Sequence, residues 1–196
     1  MATPPDFTSG AQLTAAQMNG IGLWIMTPTS VSGSGSSITQ VGQVTLSSCA
    51  AVTMNGIFTA DFENYVLVAR LSFTGGDTTM QLTASGTAVT SNYNYSQLQA
   101  YAGAGVTTTR TASAANHVLM SNGGGVYQSA TVDIFAPQLA AATLFQVSNL
   151  RNDGSYATPA NYLWFGNNSN TTSYDGLKIT GGGNMTGTIS VYGRNM

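Results

Sequence analysis

The stretch Asn64-Tyr65-Val66-Leu67-Val68-Ala69-Arg70-Leu71-Ser72-Phe73 decides the fold class of this chain. It is long and apolar on both faces, which predicts a strand in the interior of a sheet. Gly75-Gly76-Asp77 follows, and this composition is typical of a turn. We therefore expect residues 80–84 to form the hairpin partner of the strand.

The rest of the chain from residue 38 onward also has the pattern of short strands separated by turns. Asp175-Gly176, between residues 172–174 and 177–180, is a strong hairpin signal. Residues 86–116 are polar and are expected to loop over the surface. About eight to ten strands with hardly any helix indicate an all-β fold, either a β-sandwich, a jelly roll or a barrel. The other candidate strands are residues 41–46, 52–57, 117–120, 125–135, 144–148, 161–165 and 185–192.

The N-terminal stretch differs from the rest because it predicts a short helix at residues 13–20. Thr14 and Gln17 form a capping box, Leu13 and Met18 form a hydrophobic staple, and Gly20 ends the helix. Residues 29–37 are rich in Gly and Ser and have the composition of a flexible linker. The sequence thus predicts an N-terminal arm over residues 1–37 and a β-domain over residues 38–196.

The composition argues against several classes of protein. Of 196 residues, five are Lys or Arg and seven are Asp or Glu, giving a net charge of −2. Nucleic-acid binding is not expected, because so few cations cannot neutralise a row of phosphates. Membrane insertion is not expected either, since no apolar run approaches the ~18 residues of a membrane span. The N-terminus has neither the basic nor the long apolar region of a signal peptide.

Residues that could perform catalysis are few. His117 is the single histidine and begins an apolar strand, so a structural role is the better interpretation than a Ser-His-Asp triad. Asp61 and Glu63 could in principle hydrolyse a glycosidic bond, although charges just before a strand usually mark a solvated loop. Cys49 has an apolar context and cannot form an intramolecular disulfide as the one cysteine of the chain. We predict no catalytic residue, no metal site and no cofactor.

Aromatic side chains beside amides and hydroxyls are the remaining candidates for a binding site. Such surfaces bind proteins and sugars, and the alternative is that these aromatic residues lie in a core or a subunit interface. The candidate ligand-binding residues are Tyr93, Tyr95, Tyr101, Tyr162 and Trp164.

Three segments resemble the virion proteins of tailed bacteriophages, which include minor tail proteins, tail fibres and head fibres. Residues 5–19, from Pro5-Asp6-Phe7 to Gln17-Met18-Asn19, resemble the start of these proteins. Phe62-Glu63-Asn64-Tyr65 is similar to the F-x-N-Y motif that leads into one of their strands, and residues 181–193 resemble their final strand. The three segments keep the same order along the chain.

The resemblance implies a jelly-roll-like antiparallel β-sandwich, preceded by the short helical arm and usually assembled as a homotrimer. The arm would attach the domain to other proteins of the tail or capsid, so the protein would be located in the virion, assembled in the host cytoplasm. The apolar contacts of the arm would be Phe7, Leu13, Met18, Leu23 and Trp24. The alternative function is a receptor-binding adhesin that recognises a host cell-surface glycan or protein through its outer loops.

Overall fold

The computed structural model describes residues 22–101, 105–121, 123–152 and 159–194. Within these ranges the chain forms strands, turns and bends and contains no helix, which confirms the all-β prediction. The strands belong to one hydrogen-bonded sheet in which every pair is antiparallel. They are β1 (Leu23–Ile25), β2 (Ser30–Ser32), β3 (Ser36–Ile38), β4 (Val44–Asn55), β5 (Asn64–Ala84), β6 (Thr87–Ala88), β7 (Tyr93–Tyr101), β8 (Gly105–Ala114), β9 (His117–Met120), β10 (Gly123–Phe135), β11 (Thr143–Asn152), β12 (Pro159–Asn168) and β13 (Gly176–Arg194).

Two long strands, β5 and β13, pair along their lengths and turn the sheet into a sandwich. The first half of β5 pairs with β10, and β11, β12, β7 and β8 follow in this order across the sheet. Together with β1 and the end of β13, these segments form what we call the front layer. The second half of β5 pairs with β6 and β9, and the first half of β13 pairs with the end of β4, which pairs in turn with β2; these segments form the back layer. The start of β4 pairs with the second half of β13 on one side and with β3 on the other. The predicted interior strand is confirmed, because β5 has partners on both edges.

The core lies between the two layers and is filled by alternate side chains of their strands. Leu67, Val132, Val147 and Trp164 come from the front layer, and Met80, Leu82, Leu119 and Ile179 come from the back layer. All eight are buried. The layers also share a polar contact, since the hydroxyl oxygen of Tyr93 on β7 accepts a hydrogen bond from the backbone N–H of Leu82 at 2.7 Å.

Glycines lie side by side where β5 and β13 pass from one layer to the other. Gly75 pairs with Gly123, and Gly76 pairs with Gly182. A side chain at Gly182 would overlap the backbone of Gly76, so the two strands need glycine for this close approach. The prediction of a turn at residues 75–77 is therefore wrong, because β5 continues through these residues.

Three further expectations differ from the structure. Residues 86–116 contain β7 and β8 rather than a surface loop. Asp175-Gly176 does not join two strands; instead the Asp175 carboxylate accepts a hydrogen bond from the backbone N–H of Ser85. The stretch at residues 29–37 forms β2 and much of β3, both paired with β4, and is not a flexible linker. The expected helix at residues 13–20 lies outside the described residues.

Candidate functional site

Two of the segments on which the sequence resemblance rests, residues 62–65 and 181–193, meet at one end of the front layer, where β1 pairs beside them. Leu23 of β1 pairs with Arg194 of β13, and Arg194 pairs in turn with Asn64 of β5. Segments that are far apart in the sequence thus lie on three adjacent strands. We call this arrangement the strand junction, formed by residues 23–25, 62–65 and 192–194.

An aromatic row holds the strand junction together. The ring of Trp24 lies 6.5 Å from the ring of Phe62, which lies 6.2 Å from the ring of Tyr65. The ring of Phe62 also covers Gly193, where a Cβ atom would overlap it. Aromatic pairs at these distances add to the stability that burial provides. The first residues of the described chain are thereby fixed to its last strand.

The hydroxyl of Tyr65 anchors this row to the preceding loop. It accepts a hydrogen bond from the backbone N–H of Thr59 and donates one to the carbonyl oxygen of the same residue, both at 2.7 Å. Burial raises the pKa of Tyr65, so the phenol stays neutral and keeps its proton for donation. The motif Phe62-Glu63-Asn64-Tyr65 therefore has a structural role in which Phe62 covers Gly193 and Tyr65 fixes the loop.

The strand junction exposes two apolar side chains of β1 beside one ion pair and the carboxylate of Glu63. Leu23 and Ile25 are exposed, whereas Trp24 between them is half-buried against the core. The guanidinium of Arg194 lies 3.2 Å from the carboxylate of Asp133, and both side chains are about one-third exposed. Such a pair contributes little stability. Of the predicted arm contacts, Leu23 is exposed to solvent and Trp24 packs inside the protein. Phe7, Leu13 and Met18 lie outside the described residues.

The predicted aromatic ligand site is corrected for three of its five members. Tyr93, Tyr162 and Trp164 are buried, because they occupy inward positions on β7 and β12. The rings of Tyr162 and Trp164 stack within the protein, 5.3 Å apart and 6° from parallel. Tyr95 is half-buried and packs on His117, with ring centroids 4.9 Å apart. For Tyr101 the structure describes the backbone pairing with Gly105.

The amides that accompany these aromatic residues bond to one another. The side-chain amide of Asn94 donates to Asn167 at 3.0 Å, and that of Asn92 donates to Asn170 at 2.7 Å. The buried Asn168 donates to the carbonyl oxygen of Ser91 at 2.9 Å. These contacts join β7 to β12 and the segment that follows it. The asparagines therefore act in sheet cohesion, a role that the sequence did not indicate.

The ionisable residues considered for catalysis are dispersed. His117 is buried, its Nδ1 lies 2.7 Å from the carbonyl oxygen of Val118, and its Nε2 has no hydrogen-bond partner. Burial lowers the pKa of His117 to about 4, so the ring is neutral and Nδ1 carries the proton that Val118 accepts. Asp61 and Glu63 are exposed on the loop before β5, as the sequence indicated.

No group of three or more His, Cys, Asp or Glu side chains in the described part of the chain could hold a metal ion. Among the same residues, no helix has the length and apolar character needed to cross a membrane.

Comparison with known proteins gives a weak structural similarity. No family model matches the sequence, and no curated protein matches it. The crystal structure of the Emp47p carbohydrate recognition domain is similar over 94% of this chain and 100% of that chain, with 10% sequence identity and a TM-score of 0.33.

Proposed function

We propose that this chain is a non-enzymatic structural protein of a tailed-bacteriophage particle. It would be a tail fibre, head fibre, minor tail or decoration protein that displays a jelly-roll-like sandwich as a homotrimer. The observation that carries the proposal is the strand junction. Two of the three segments that resemble phage virion proteins, residues 62–65 and 181–193, lie far apart in the sequence and are neighbours in space, as expected if they preserve one structural unit. The third segment, residues 5–19, lies outside the described residues.

The strand junction also fits the role of an attachment point. The first described strand begins at Leu23 beside Arg194, at a place that Trp24 and Phe62 hold by packing. An arm that begins there would join its docking site directly to the front layer. Leu13 and Met18, together with Phe7, supply the apolar side chains through which such an arm can bind another virion protein.

The structure weakens the adhesin alternative. Three of its five candidate aromatic contacts, Tyr93, Tyr162 and Trp164, are buried in the sandwich. A glycan could reach them only after the core opened. The structural role therefore remains the better supported function.

Incorporation into particles tests the proposal. In the phage that carries the gene, Phe7, Leu13 and Met18 are changed to Ser together, and particles are purified on a density gradient. We expect the wild-type 20.2 kDa chain in the particles and the triple variant in the unassembled fraction. The matched control changes Val41 and Leu139 to Ser, two exposed apolar residues outside the predicted arm of residues 1–37.

Two outcomes would overturn parts of the proposal. A wild-type chain that is missing from purified particles contradicts the virion role. A triple variant that enters particles as efficiently as wild type contradicts attachment through the arm. Deleting residues 1–37 would not separate loss of the arm from damage to the sheet, since the deletion also removes β1, β2 and part of β3.

A further inference from the structure

The outer face of the front layer carries a contiguous group of apolar side chains. Directly opposed residues of antiparallel strands lie on the same face, and so do alternate residues of one strand. Leu98 is opposite Leu163, and Phe165 follows Leu163 two residues later. The same pairing can be followed across β11, β12, β7 and β8, and it shows which of their apolar side chains share the outer face. We call this group the outer apolar patch; it consists of Leu98, Val106, Leu144, Leu150, Leu163 and Phe165.

The outer apolar patch is open to solvent in the single chain. Five of its six side chains are between 38% and 65% exposed, and Leu163 is half-buried. On the same face, β7, β8, β11 and β12 carry one charged side chain, Arg110, and the continuation of the face over β5, β10 and β13 carries Arg70 and the ion pair of Arg194 with Asp133. Soluble monomers rarely leave a large contiguous apolar patch uncovered. The patch therefore indicates an interaction surface.

The face around the outer apolar patch is large enough for a stable interface. From β13 to β8 it spans seven adjacent strands, and the paired part of each strand is about eight residues long. With strands ~4.8 Å apart and a rise of ~3.4 Å per residue, the face measures on the order of 750 Å². Stable protein interfaces bury about 800 Å² on each partner.

The chemistry around the patch suits a second copy of the same chain. Its polar neighbours on the face are Asn, Gln, Ser and Thr, for example Gln146, Ser148 and Asn161. Amides and hydroxyls both donate and accept hydrogen bonds, so a face made of them is complementary to itself.

We infer that copies of this chain pack against one another through the outer face of the front layer, with the outer apolar patch at the centre of the contact. The inference rests on the homotrimer in the proposed function and adds the surface that forms it. Packing there also shields β8, an edge strand that is exposed along most of its length and pairs with β7 on one side.

The solution mass of the full chain tests the inference. Light scattering after size exclusion is expected to give a multiple of 20.2 kDa for wild type, three times that mass for a trimer. The double variant Leu98→Lys and Phe165→Lys places two cations in the patch and should reduce the mass to 20.2 kDa. The double variant Val41→Lys and Leu139→Lys changes two exposed apolar residues elsewhere and should keep the wild-type mass.

A second variant and a folding measurement make each outcome decisive. Leu150→Asn changes an exposed side chain of similar size and should weaken association without unfolding, which circular dichroism checks. A monomeric wild type, or variants that remain associated, would overturn the inference. The particle test of the arm is independent, since a chain can enter particles through residues 1–21 whichever face joins its copies.

Discussion

The ring of Phe62 occupies the space that a side chain at Gly193 would need. A Cβ built on Gly193 overlaps Cδ2 and Cγ of the ring, so the two residues are sterically complementary although they lie in different thirds of the chain. The contact explains why a phenylalanine before β5 and a glycine near the end of β13 can belong to one structural unit. It also gives a direct test of the strand junction.

Gly193→Ala is expected to lower the free energy of unfolding by about 1–3 kcal/mol, because the new methyl group displaces the Phe62 ring. Urea unfolding measures the change. Gly124→Ala is the matched control, since a Cβ at Gly124 meets nothing within 4 Å. Phe62→Leu in the Gly193→Ala background should recover part of the loss; purely additive effects would contradict direct contact.

Tyr93→Phe is expected to lower the free energy of unfolding by about 1–3 kcal/mol, since it leaves the buried N–H of Leu82 without its partner. Tyr127→Phe removes a hydroxyl from a side chain that is 46% exposed and should change stability little. Thermal unfolding of both variants separates the two cases. Equal effects would show that the hydrogen bond between the layers contributes nothing.

Stability should fall as the pH drops through the range in which His117 titrates. Its pKa is about 4 in the folded chain and 6.5 in the unfolded chain, so between these values the unfolded chain binds more protons. The stabilisation is complete above pH 6.5 and is lost progressively down to pH 4, by on the order of 3 kcal/mol. Urea unfolding of wild type and His117→Gln measures it. The difference between them should shrink over this range; a constant difference would rule out His117 as the cause.

Cys49 is expected to resist thiol reagents until the chain unfolds. Its side chain is buried and donates a hydrogen bond to the carbonyl oxygen of Ala51, and burial raises the pKa of the thiol. The reactive thiolate is therefore both scarce and inaccessible. Maleimide should label the native chain slowly and the urea-unfolded chain completely. Thr171→Cys adds an exposed thiol that should react at once; rapid labelling of native wild type would contradict the burial of Cys49.

Much of the fold follows from the local sequence pattern, and the exceptions have physical causes. The strand from Asn64 was predictable because its apolar side chains occupy both faces. Its continuation through Gly75 and Gly76 was not, since glycines that end a strand and glycines that let a strand bend look alike in a single sequence.

The candidate ligand site shows a second limit. Because Tyr162 and Trp164 lie beside asparagines, the sequence allowed either a binding surface or a core position for them, and on β12 alternate residues face opposite sides of the sheet. That register placed the two aromatic residues inside and left Leu163 and Phe165 on the outer face. Which of the two sets faced the core depended on the pairing of β12 with β7 and β11, which the local pattern does not contain.

The position of β13 between β4 and β5 has a consequence for biosynthesis. Of the strands described, β13 is the last to be translated, yet both β4 and β5 depend on it for a paired edge. While the ribosome is still reading the codons before Gly176, the nascent chain carries two strands with apolar faces and open edges. The unpaired N–H and C=O groups of such edges can form hydrogen bonds with strands of other chains. Native assembly of the sandwich must therefore follow release of the last strand, and premature termination before β13 should yield insoluble chains rather than a smaller folded domain.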